Sequence, residues 1–242
     1  MDPDLIIAML LIFTGSFVQS ATGFGLALIA SPILIMLSPD YIPSPMIIVG
    51  LFLGIVNAFK YRSTISIGGL KHALIGRIPG TFAGAGLLYY IDIAQLSLLL
   101  GIVVIVAVML SLLPVKIQPT PKRLLFAGFL SGLFDTSSGI GGPPMALLLQ
   151  HQQAHFIRAN LSAFFVVSGI MSLLIQIPIG YMSMKHVYLS LPLLPASYLG
   201  YLVALLCVNY IPQAIVRRAS LVLCLIAGLS AIYSGIVAIS LG

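Results

Sequence analysis

Apolar positions run along this chain in stretches long enough to cross a ~30 Å hydrocarbon core as helix, separated by short breaks rich in Pro, Gly and charge. Matching runs to breaks predicts segments near 5–37, 46–59, 73–90, 96–113, 124–149, 161–178, 187–209 and 220–240. The first and fifth are interrupted midway, at "SATGFG" (20–25) and "TSSGIG" (136–141). Each reads as two short helices joined at a polar tip, a hairpin that returns to its side of entry. The predicted fold class is an all-α integral membrane protein.

Composition sharpens this picture. Of 242 residues 60% are hydrophobic and 7% charged, with mean hydropathy +1.17, where a soluble domain carries about a quarter charged residues. No separate soluble domain is expected. The N-terminus "MDPDLIIAML" has two acids and no basic residue, so it lacks the basic start of a signal peptide and is expected to belong to the first membrane segment. Cys207 and Cys224 lie in apolar stretches, where thiols pack as small hydrophobes. The net charge of +6 does not point to nucleic acid, because the basic residues sit in short loops and follow the topology rule instead.

With both broken segments read as hairpins, Lys60, Arg62, Lys71, Lys116, Lys122, Arg123, Arg158, Arg217 and Arg218 share one face, and Arg77 lies near it. Lys185 falls opposite, with Asp2, Asp4, Asp40 and Asp92. The basic face is then cytoplasmic and both termini lie outside, in a multi-pass protein of the cell membrane. Reading the segments as single crossings would strand Arg158, Arg217 and Arg218 outside.

Sliding the chain on itself by 116 residues pairs Gly23 with Gly139 and Gly25 with Gly141, and also Pro79 and Gly84 of "PGTFAG" with Pro195 and Gly200 of "PASYLG". Two repeats are predicted, 1–116 and 117–242, each a hairpin followed by three spans. An odd number of crossings inverts the second repeat, so the hairpins dip in from opposite sides and their tips approach near the midplane.

Irregular backbone at membrane depth survives where protein or a water-filled cavity satisfies it. Thr22 and Ser138, each before Gly-x-Gly, are predicted N-caps of the second helix of each hairpin. Two helix N-termini with glycines beside them would form an anion site, and the prolines of "GGPPM" suit a first helical turn. The candidate binding residues are Gln19, Ser20, Thr22, Gly23 and Gly25 in the first tip. In the second they are Thr136, Ser137, Ser138, Gly139, Gly141 and Gly142. The alternative is that these small residues cap helices and permit close packing.

Asp135 is the one acid predicted within the membrane, where a charged carboxylate costs about 2.5 to 3.5 kcal/mol. It reads either as carrier of a coupling proton or as the partner of a nearby basic residue. Arg77 and Arg158 read as electrostatic attractors at the cytoplasmic entrance, or as snorkelling side chains near the boundary; Asn160 beside Arg158 is a similar case. Asn57 reads as a bridge between helices. His151 and His155 stand at i, i+4 without a third ligand in view, so no metal is expected; His72 and His186 also fall at loop edges. Gly80 and Gly84 suit close helix contact, with Thr81 and Ser197 equivalent under the repeat.

"GSFVQSATGFGLALIASP" (15–32) and "SGLFDTSSGIGGPPMALLL" (131–149) resemble the paired glycine-rich segments, broadly G-x-x-x-G-x-G-G, of the TauE/SafE family. These are sulfite and organosulfonate exporters, also grouped as toluene-sulfonate uptake permeases. The likeness covers nearly the whole chain. Ser20, Ala21 and Thr22, and Thr136, Ser137 and Ser138, stand where that family has triple glycine. The resemblance implies small sulfur oxyanions or sulfonates as substrate.

A secondary anion transporter is the leading reading, with an anion channel using the same tips as the alternative. No G-x-x-x-x-G-K-[ST] P-loop is present, and the chain lacks a His-Glu-x-x-His motif, so neither ATP hydrolysis nor an enzyme is expected. No cofactor is implied. The expected partners are a small anion, a coupling proton and lipid; oligomeric state and direction of transport are not readable from the residues.

Overall fold

Prolines stand in the first turn of several helices, at Pro45, Pro121 and Pro143, and within others at Pro32 and Pro79. The computed structural model describes residues 3–112, 118–150, 152–207, 210 and 213–241. Over these, the helices are α1 (Pro3–Thr22), α2 (Leu26–Leu37), α3 (Ser44–Lys60), α4 (Ile67–Tyr90), α5 (Ile93–Leu112) and α6 (Pro121–Ser138). They continue with α7 (Gly142–Leu149), α8 (Ala154–Gln176), α9 (Met184–Ser190), α10 (Leu193–Cys207) and α11 (Gln213–Leu241). Among the described residues five helices are long and apolar enough to cross a bilayer, and α9 with α10, bent by 40°, makes a sixth candidate. The bend falls at Pro192, which has no N–H for the helical ladder, so the run predicted as one helix near 187–209 is two. Residues 208 and 209 of that run lie outside the described residues, as do Asp2, Lys116 and His151.

The interruptions at 20–25 and 136–141 are real turns. A side chain at Gly15 would meet the backbone of Leu26 at 2.9 Å, so the chain doubles back along α1. In the second hairpin Ser131 reaches the Gly141 carbonyl, a similar distance back along α6. The arms are not the two short helices expected. α1 has 20 residues and α6 has 18, against 12 in α2 and 8 in α7, which at 1.5 Å per residue makes long first arms of roughly 27 to 30 Å and short returns. Each long arm is covered along its length by another helix, and that packing allows it to run deep.

That helix is α4 for α6 and α10 for α1, while α3 packs on α8 and α5 on α11. The α4–α6 contact is backbone on backbone. A Cβ at Gly128 would stand 1.9 Å from the Ala73 carbonyl oxygen, one at Gly76 2.0 Å from that of Leu125, and one at Gly80 2.1 Å from that of Phe129. Glycine at these positions therefore sets the helix separation. On α1 and α10 the fit is made by Gly200 against the Phe13 carbonyl and by a hydrogen bond of 2.9 Å between Ser16 and Ser197.

One apolar core gathers α1, α2, α3, α5 and the tip residue Ile140, and a second joins α4, α6, α7 and α8. Large apolar side chains such as Phe59, Phe82, Phe126 and Leu206 stay exposed on the perimeter, where lipid takes the place of a core. Lys185 pairs with Asp40 at an exposed site joining α9 to the turn after α2.

Candidate functional site between the hairpin tips

The turns that reverse the chain need backbone that L side chains rarely adopt. Gly23 and Gly25 have φ of 102° and 132° in the first tip, and Gly139 has φ of 76° in the second. Glycine reaches these angles at no steric cost. The tips then meet: a Cβ at Gly142 would lie 3.5 Å from that of Phe24.

Between them is a cavity of about 50 Å³. Gln19, Gly25 and Leu26 line it from the first hairpin, and Asp135 with Gly139, Ile140, Gly141 and Gly142 from the second. Met46, Gly50, Ser168 and Gly169 of α3 and α8 close the sides. One water occupies about 10 to 15 Å³ on this scale, so there is room for a few waters or a small anion. Both short helices begin here, at Leu26 and Gly142, and their opening N–H groups and positive dipole ends favour negative charge. Pro143 and Pro144 follow directly in the first turn of α7, where the lost N–H costs little.

A larger cavity, about 300 Å³, lies on the far side of the first tip, and Gly25 and Leu28 line both. Thr22, Ser111, Gln150, Gln152 and Ser220 give it a partly polar wall. These last four residues border segments whose basic neighbours marked them as cytoplasmic.

Behind Asp135 stands Arg77, near the middle of α4 and 0% exposed. Helix α4 begins at Ile67, ahead of the predicted run, so Arg77 stands well inside it, and close contact of α4 with glycines of α6 buries the side chain within the protein. One guanidinium nitrogen, Nη2, donates to Asp135 Oδ2, and also to the Ser168 carbonyl at 3.2 Å and Ser172 Oγ at 2.9 Å. Nη1 donates to Ser131 Oγ at 3.1 Å, and the group lies 5.5 Å from the Phe164 ring centroid. The buried Nε has no partner. Ser168 and Ser172 also donate to Asp135 Oδ2, at 3.2 and 2.9 Å. Ser131, Ser168 and Ser172 did not emerge from the sequence reading. The i, i+4 spacing of the last two serines within an apolar run was the available signal.

Thr22 and Ser138 are not N-caps, and this expectation is corrected. They are the last residues of α1 and α6, while Gly25 and Gly141 hold the N-cap positions without side-chain capping bonds. The Thr22 hydroxyl reaches both the Val18 carbonyl one turn back, at 2.9 Å, and the Phe24 carbonyl across the turn, at 2.7 Å, while Ser138 donates one turn back along its helix to the Phe134 carbonyl. That local bond competes well with capping across a glycine turn. Ser137 likewise donates to Leu133, and Thr136 meets Ser172 Oγ at 3.0 Å. Ser20 accepts from Asn57 Nδ2 at 3.2 Å, bridging α1 and α3. None of these tip hydroxyls lines the small cavity, nor does Gly23, which packs against Ile157 and Leu161.

Arg158 is half-buried and donates through Nε to the Ala21 carbonyl at 2.9 Å, at the C-terminal end of α1. Asn160 accepts from the Ser66 N–H at 2.9 Å. His155 is exposed.

A largely apolar helical protein with paired hairpin tips around a buried, charge-lined cavity has the construction of a multi-pass membrane transporter. The chain belongs to the sulfite exporter TauE/SafE family, whose sequence model matches residues 7–231. Membership implies transport of sulfite or organosulfonate anions. Searches of the curated proteins and of the solved structures find no match.

Proposed function

We propose that this protein is a secondary transporter that exports small sulfur oxyanions, sulfite or an organosulfonate, across the cell membrane by alternating access. The observation that carries this reading is the small cavity shared by both tips, with two helix N-termini at its edge and a carboxylate in its wall. Gln19, Gly25, Gly139, Gly141 and Gly142 contact the anion. Ser20, Thr22, Gly23, Thr136, Ser137 and Ser138 hold the tips in shape.

The two halves, 1–116 and 117–242, act as inverted repeats with both termini outside. In support, the offset of 116 residues exchanges the α4–α6 contact with the α10–α1 contact and maps α3–α8 and α5–α11 onto themselves. The larger cavity beside the first tip is the cytoplasmic vestibule, and the well-packed core of α2, α3 and α5 closes the opposite side. Energy comes from a gradient, with Asp135 carrying a coupling proton.

Reconstituted protein loaded with sulfite should show saturable efflux accelerated by sulfite on the other side. Conductance without such counter-flow would overturn alternating access in favour of a channel. Absence of flux for sulfite, thiosulfate, sulfoacetate and taurine alike would overturn the anion assignment itself.

A further inference from the structure

Arg77 has no role in the scheme so far, and its position is costly. A charge buried completely in a membrane protein, with one N–H donor left unpartnered, is not explained by packing: similar volume in apolar side chains serves stability as well or better. Resting on the anion-transport reading, we propose that Arg77 is the internal counter-charge of the transported anion, masked by Asp135 in the empty protein and unmasked when Asp135 takes a proton.

The geometry is that of a carboxylate placed between a cation and a cavity. Asp135 lines the cavity and Arg77 does not. All the hydrogen bonds described above fall on Oδ2, from Arg77, Ser168 and Ser172. The other oxygen, Oδ1, is turned to the second tip, where a Cβ at Gly141 would lie 3.0 Å from it. A proton arriving through the cavity therefore reaches Oδ1 without disturbing the bonds on Oδ2.

Among the described residues, the groups that face Asp135 are few. α4 brings Arg77; α8 brings Ser168 and Ser172. α7 and α2 carry no titratable side chain. The titratable residues of the adjoining helices otherwise stand towards their ends, at Lys60 of α3, Lys71, His72, Tyr89 and Tyr90 of α4, Lys122 and Arg123 of α6, and His155 and Arg158 of α8.

Charge balance supplies the coupling. The Arg77–Asp135 pair is neutral, so an anion entering beside ionised Asp135 meets a like charge at close range. Protonating Asp135 alone leaves the guanidinium, which does not deprotonate in proteins, buried without compensation. Each event is unfavourable by itself and each relieves the other, so proton and anion bind together, and by linkage each raises the affinity for the other by the same factor. No covalent step is involved. Release follows when Asp135 gives up its proton and returns to Arg77, and the outward gradient of the anion itself sets the direction of export.

Binding of methanesulfonate and of thiosulfate to the purified full-length protein tests this, because neither probe changes charge in the working pH range and any proton counted belongs to the protein. Wild type should lose affinity by about tenfold per pH unit on the alkaline side of its binding optimum, with close to one proton taken up per anion bound. Asp135→Asn should abolish the slope and bind at neutral pH at least as tightly as wild type in acid. The neutral double variant Arg77→Gln with Asp135→Asn removes the buried charge without leaving an unpaired partner, and should bind at least tenfold more weakly than Asp135→Asn at every pH. A retained slope in Asp135→Asn, or equal affinity in the single and double variants, overturns the counter-charge while leaving anion transport standing. Wild type that binds neither probe nor sulfite at any pH overturns the transport reading beneath it.

Discussion

The two hairpins share a backbone plan and differ in where they keep their charge. Asp135 in the second has Gln19 as its counterpart 116 residues earlier; Arg77 has Leu193, and Ser131 has Gly15. Around the second tip an ion pair and several hydroxyls form one network. At the first, Gln19 accepts a long bond of 3.3 Å from the Leu26 N–H, and Arg158 holds the end of α1 from outside the hairpin. The packing differs to match. Gly76, Gly80, Gly84, Gly128 and Gly132 bring α4 and α6 into backbone contact, whereas α1 and α10 meet through Gly200 and a pair of serines. The protein thus puts its buried charge where two helix backbones lie in direct contact, and lines the side next to the larger cavity with a neutral tip.

The most severe way to break this asymmetry is to remove one charge. Arg77→Met leaves Asp135 ionised without its partner, and breaking a buried pair in this way costs about 3 to 5 kcal/mol. Thermal unfolding in detergent should show the loss directly. Arg77→Met combined with Asp135→Leu should recover most of it, because the uncompensated charge is gone, while anion binding stays lost. A single variant as stable as wild type would mean that Asp135 is neutral at rest.

Next in size is the packing that holds the pair. Gly128→Ala places a methyl where the Ala73 carbonyl stands, so α4 and α6 must separate, and overpacking of this kind costs about 1 to 3 kcal/mol. The slope of anion affinity with pH should flatten as Arg77 and Asp135 drift apart. Gly86→Ala is the contrast within α4. Nothing lies within 4 Å of the added methyl, and replacing a helical glycine should stabilise by up to about 0.5 to 1 kcal/mol. Thermal scans of both variants would rank them with opposite signs.

What could be read from the sequence follows the same division. The breaks at 20–25 and 136–141 were legible, because the positive-φ turns at Gly23, Gly25 and Gly139 constrain the residue type directly. Asp135 stood out as an acid in an apolar run. Its partner did not, because Arg77 precedes it by a whole span, and no local period links residues brought together by α4–α6 packing. The length of the long arms was also hidden: the hydropathy of α1 marks an apolar stretch equally well whether its helix stops midway or runs through. The tip hydroxyls misled for a local reason. Serine and threonine in a last helical turn satisfy their own helix's carbonyls as readily as they cap the next one.

Arg158 offers the smallest effect and separates two accounts of the first tip. As an attractor at the cytoplasmic entrance it would act through long-range charge, as the charge pattern of the sequence suggested. Its bonds to the Ala21 carbonyl and, at 3.5 Å, to the Tyr61 hydroxyl make it a cap on the C-terminal end of α1, and such a cation contributes about 0.3 to 1 kcal/mol. Arg158→Gln should lower thermal stability by that amount and slow transport modestly. Arg158→Lys then discriminates, because it keeps the charge but loses the fork that reaches both acceptors. If capping dominates, Lys resembles Gln and the defect is the same at low and high salt. If attraction dominates, Lys resembles Arg, and raising the ionic strength erases the difference between wild type and Arg158→Gln, since charges more than ~10 Å apart are screened at 0.1 M salt.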